Sequence, residues 1–86
     1  MLESAVERVF NEHVQKLGGS TTKWVGIGGN PDRVVLLDGG IYLVEIKADG
    51  GELEPLQRLW HRRAAEKGVH VYVVTGSKEA RAWDPR

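Results

Sequence analysis

Apolar residues recur at Leu2, Ala5, Val6, Val9, Phe10, Val14 and Leu17, steps of three and four that predict an amphipathic helix. Gly18 and Gly19 follow, and their tolerance of positive φ ends that helix. A short strand is expected in TKWVGIG, from Thr22 to Gly28. Two β-rich runs come next, Arg33 to Asp38 and Ile41 to Lys47, and the glycines between them predict a hairpin turning at Gly39–Gly40. A second helix begins near Pro55, which is tolerable only in a first turn, with Glu52 and Glu54 at the positive end of the helix dipole. Its expected buried stripe is Leu53, Leu56, Trp60 and Ala64, and Gly68 ends it. The run VHVYVVT, ending at Thr75, predicts a strand after the helix and thus a strand–helix–strand crossover. From Ser77 to Arg86 no period is clear, and at most one helical turn is expected. This order predicts an α/β fold, a small mixed sheet of about four strands flanked by helices, in a single domain spanning 1–86.

Composition narrows the partners. A chain of 86 residues buries only about 60–65% of the surface its unfolded form exposes, so each core position matters. Twelve basic residues balance twelve acidic ones, so any grip on nucleic acid must come from placement rather than net charge. There is no cysteine, hence no disulfide and no thiolate metal site. Glu3, Glu7 and Arg8 interrupt the first apolar residues, which argues against a secretory leader, and no apolar run approaches a membrane span. A cytoplasmic protein with no membrane partner is expected.

Three charges disturb the hairpin. Ile41, Leu43, Glu45 and Lys47 share one face of their strand, so Glu45 and Lys47 emerge side by side. Asp32 precedes the first strand, and an antiparallel hairpin carries it to the same open end. Taken singly, Glu-x-Lys is an ordinary surface pair and Asn-Pro-Asp ordinary turn chemistry. Together they bring two carboxylates to one place, where they repel unless a cation intervenes. A hard divalent cation with oxygen ligands answers that need more fully than Lys47 alone.

These residues resemble the PD-(D/E)xK nuclease signature, and more closely its VRR-NUC branch in the stand-alone, phage or bacterial form. The matching pieces are Glu7 in the first helix, the turn from Gly29 through Asn30 and Pro31 to Asp32, the strand end Glu45-Ile46-Lys47, and Gln57 with Trp60. The resemblance runs from about Glu3 to Thr75; its main departure is Asn30, where the family often has an apolar residue. It implies a restriction-endonuclease-like core and metal-dependent hydrolysis of phosphodiester bonds in DNA. Asp32, Glu45 and the Ile46 backbone carbonyl would bind Mg²⁺ or Mn²⁺. Lys47 would place the attacking water and stabilise the developing anion, an electrostatic role rather than that of a general base. Glu7 would reach the metal through water, although an exposed helix glutamate is an equal reading. Gln57 would orient Lys47, water or phosphate, with a satisfied core glutamine as its equal alternative.

Arg58, Arg62 and Arg63 form a basic strip on the second helix, a candidate DNA surface extended by His61 and Lys67 and, more weakly, by Lys23 and Arg33. His13, His61 and His70 lack metal-ligand spacing and read as structural or surface residues; Trp24 and Trp83 read as packing or interface residues. GIGGNP is not a dinucleotide fingerprint, since a proline stands where the helix should start. The resemblance implies a homodimeric, structure-selective endonuclease acting on branched DNA, four-way (Holliday) junctions included. The alternatives are a non-catalytic DNA-binding module of the same fold and a protein-interaction subunit whose charges form a partner surface.

Overall fold

The computed structural model describes residues 2–86. Its elements are α1 (Glu3–Lys16), β1 (Ser20–Lys23), β2 (Arg33–Leu37), β3 (Gly40–Lys47), α2 (Pro55–Glu66), β4 (Val71–Thr75) and α3 (Gly76–Ala82). One mixed sheet carries the strands in the order β1-β2-β3-β4; β1, β2 and β3 run antiparallel, and β4 joins β3 in parallel. The expected α/β architecture is what the chain adopts.

Alternation along the strands divides the sheet into two unlike faces. One carries Val35, Leu37, Val44, Ile46 and Val74, all buried, and α1 and α3 cover it. From α1 come Val6, Phe10 and Val14, each 0% exposed, whose burial is worth about 1.5–3 kcal/mol per side chain. Leu2 lies 77% exposed and contributes little. Trp83, just past α3, stacks edge-on against Phe10, Tyr42 and Tyr72 with centroids 5.2, 6.0 and 5.6 Å away. His13 Nε2 meets the Trp83 carbonyl at 2.7 Å, so the tail is fixed to α1. The tail therefore holds a seven-residue helix, longer than the single turn expected, because small Gly76 and Ala80 bury where large side chains would mark a stripe.

Three further departures bear on the site. The first strand is shorter than expected and ends at Lys23. Beyond it the chain loops: Asn30 Nδ2 donates to the carbonyls of Trp24 (3.1 Å) and Pro31 (2.9 Å), and Gly29 takes φ 94°. The hairpin turns at Asp38–Gly39, one residue before the expected pair, with φ of 48° and 79°. Positive φ at both central positions is the demand of a type I′ turn, and Asp-Gly meets it. Finally, α2 does not bury its expected stripe. Ala64 is buried, but Leu56 is 61% exposed and Trp60 only half-buried, its ring set edge-on 5.5 Å from Trp24.

Candidate active site

The one-residue shift of the turn decides what faces what. Arg33 pairs with Val44 at the end of the β2–β3 ladder. Continuing that register one step sets Asp32 opposite Glu45, and directly opposed side chains stand about 4.5–5.5 Å apart at Cβ. Asp32 completes the ladder with its side chain: its Oδ2 accepts the Ile46 N–H at 2.8 Å. The N–H and C=O of one strand residue point to the same edge, so the Ile46 carbonyl is directed toward Asp32 as well.

Glu45 is the centre of the arrangement. Its side chain is fully buried, and burial, followed by a hydrogen bond with Asp32 and repulsion from it, pushes its carboxyl up to about 9; Lys47 opposes the rise. Lys47, two residues on and on the same face, is itself only 6% exposed. Without a cation Glu45 therefore keeps its proton at neutral pH.

Helix α2 closes over this strand end. Gln57 Oε1 accepts the Glu54 N–H at 2.8 Å, a capping-box bond that fixes the amide so that Nε2 donates to Glu45 Oε2 at 3.2 Å. One turn later His61 brings its Nε2 to 3.2 Å from Glu45 Oε1, with 14% of its side chain exposed. Burial, then the charges of His70 and Lys47, lower the pKa of His61. With Glu45 raised and His61 lowered, this contact is a neutral hydrogen bond at pH 7 rather than a salt bridge. The loop before Asp32 is pressed on the same helix, since a Cβ on Gly29 would lie 2.5 Å from the Leu56 carbonyl.

Asp32, Glu45, Lys47, the Ile46 backbone and Gln57 thus come together at one strand end. On α1, Glu7 Oε2 accepts from Arg33 Nη1 at 3.2 Å. Arg33 also donates through Nε to Thr21 Oγ1 at 3.0 Å and is mostly buried on the α1 side of the sheet. Arg58, Arg62 and Arg63 are exposed on α2, and Lys23 is exposed at the end of β1. Arg58 has a loose partner in Glu52 at 3.8 Å. Sequence reasoning set His61 beside the basic strip and missed its contact with Glu45. Its only signal was a spacing of four from Gln57, which puts both on one helix face.

Comparison with known proteins identifies the fold and the family. A solved structure described as a VRR_NUC domain superposes with a TM-score of 0.80 at 30% identity, over 93% of this chain and 90% of its own. A protein named "Putative nuclease p44", from Acyrthosiphon pisum secondary endosymbiont phage 1, is 39% identical over 75 residues, 84% of this chain and 81% of that protein. The chain belongs to the VRR-NUC family. No family model matches it. Asn30, unusual for a VRR-NUC turn, has its explanation in the two carbonyls it ties together. Among the described residues no helix is long and apolar enough to cross a membrane.

Proposed function

We propose that this VRR-NUC protein is a Mg²⁺- or Mn²⁺-dependent endonuclease that cuts branched DNA, with four-way junctions as the sharpest case, and that it works as a homodimer in the cytoplasm. The observation that carries the reading is the contact between Asp32 and Glu45 at a strand end that also holds buried Lys47. Family membership and the printed name of the phage relative support the nuclease reading.

The donor set fits a hard divalent cation. Two carboxyls meet with the Ile46 carbonyl aimed the same way, and a pair that must otherwise hold a proton gains by holding a cation. Water and phosphate oxygens would complete the shell, since among the described residues no three His, Cys, Asp or Glu side chains gather closely enough to hold a metal by themselves. The cation, when bound, supplies an acidified water and charge neutralisation at the phosphate. Asp32 and Glu45 hold it in place. Lys47 orients the water that attacks phosphorus and stabilises the negative charge that grows there as the ester bond breaks.

Arg58 and Arg62 stand on α2 about 60–140° round the helix axis from Gln57 and His61, where they meet the phosphates that flank the scissile bond. Arg63 and Lys23 extend that surface. One such site cuts one strand, so paired cuts in a junction require two copies. The cross-strand neighbours Leu36 and Ile41, 51% and 72% exposed, are apolar surface available to a second copy.

The test is a cleavage panel of single-stranded, duplex, flap and four-way-junction DNA, each with and without Mn²⁺, alongside light scattering of the free protein. Junction cleavage that requires the cation, by a chain of twice the monomer mass, is the expected result. A folded protein that cuts none of the four with Mn²⁺ present overturns the endonuclease reading, and an active monomer overturns the dimer.

A further inference from the structure

The geometry points to His61 as a positioning residue for the metal-binding carboxylate, acting with Gln57 as a two-point clamp on Glu45. The inference rests on the reading of Glu45 as a metal ligand.

Each oxygen of Glu45 has its own partner on α2, Oε2 with Gln57 Nε2 and Oε1 with His61 Nε2, both at 3.2 Å. The two partners are four residues apart and so stand one above the other on a single helix face. Neither is free to drift. The Gln57 amide is set by the Glu54 N–H, and the His61 ring is enclosed to 14% exposure. A carboxylate tied at both oxygens keeps its rotation fixed and has one lone-pair direction left on each oxygen. Ionised Glu45 is an acceptor only, so His61 must present Nε2–H to it, which selects that ring tautomer. Partners of this kind, which touch a ligand rather than the metal, commonly change metal affinity by 10–100-fold when removed.

The clamp also explains why α2 exposes Leu56. The helix is rotated so that Gln57 and His61, rather than an apolar row, face the sheet where Glu45 and Lys47 lie. Arg58 and Arg62 follow that rotation, so the seating of Glu45 and the approach to phosphate are set by one rigid element.

Calorimetric titration of Mn²⁺ into DNA-free protein tests the clamp without reference to turnover. His61→Leu keeps apolar bulk but removes the donor, and His61→Gln restores a donor nitrogen at comparable reach. His61→Leu, with wild-type far-UV circular dichroism, is expected to weaken Mn²⁺ binding about 10–100-fold, while His61→Gln stays within about threefold of wild type. Cleavage by His61→Leu should recover when Mn²⁺ is raised in proportion, as a lost positioning contact requires. Wild-type Mn²⁺ affinity in folded His61→Leu overturns the inference, as does equal weakening in His61→Gln. Glu45→Ala separates the two levels: if it too binds Mn²⁺ like wild type, the metal-ligand reading of Glu45 fails and the clamp with it. Loss in Glu45→Ala without loss in His61→Leu sinks the clamp alone.

Discussion

A carboxyl held near pH 9 makes the cation-free protein weaker as the solution becomes more basic. Glu45 is raised from 4.5 to about 9 by burial and by Asp32. Between those values the native state binds a proton that the unfolded state has released, so the stability slope with pH is negative. At about 1.4 kcal/mol per pH unit, and with Glu45 only half ionised at its own pKa, the step from pH 7 to pH 9 removes about 2 kcal/mol. A chain of this length has roughly 4–13 kcal/mol in all, so the loss is visible. One kcal/mol moves the melting point of so small a domain by about 4–8 °C. In EDTA, the melting temperature measured by circular dichroism should therefore fall by about 10 °C or more from pH 7 to pH 9. His61, with its lowered pKa, gives the opposite slope only below its ordinary 6.5, which leaves the upper window to Glu45. Glu45→Gln should flatten the curve there and melt above wild type at pH 8. Saturating Mn²⁺ should do the same for wild type and release close to one proton per site, read by titration in buffers of different ionisation enthalpy. A melting point that rises from pH 7 to 9 in EDTA, or a Glu45→Gln curve as steep as wild type, refutes the account of a protonated Glu45.

Other outcomes follow from the same geometry. Lys47→Ala should abolish cleavage in saturating Mn²⁺ while junction affinity in a gel-shift assay changes less than about threefold, since a single phosphate contact is a small part of such binding. Arg58→Ala and Arg62→Ala should each weaken DNA binding across all sequences and lower the salt slope of log K by about 1, with melting temperature unchanged. Gly29→Ala should destabilise by about 1–2 kcal/mol from its φ of 94° alone, and by more through the clash with the Leu56 carbonyl. Phe10→Ala, at a fully buried core position, should cost about 3–5 kcal/mol in urea denaturation and leave little folded protein at pH 9.

The path from sequence to site shows where residue patterns run out. Periodicity located α1, the hairpin and β4 because each has one face buried in a common core, and that burial writes itself into the spacing. Asp38-Gly39-Gly40 is compatible with a turn at either pair of neighbours, yet moving the turn by one residue moves the pairing by two, which changes the residue that Asp32 faces. With the turn at Gly39–Gly40 its partner would be Lys47; at Asp38–Gly39 it is Glu45. Both pairs tolerate φ above zero, so the turn residues alone leave that choice open. On α2 the apolar spacing suggested a stripe through Leu56, but the helix meets a strand end whose buried groups are Glu45 and Lys47 rather than valines. Its inward face has to carry donors there, because a fully buried carboxyl with no partner is more costly than an exposed leucine. The role of His61 beside Glu45 was illegible for the same reason, since it depends on a carboxylate 16 residues earlier in the chain being set 3.2 Å from it. Apolar pattern thus reports where a chain excludes water, and the candidate active-site end of this sheet is built from the polar residues that interrupt that pattern.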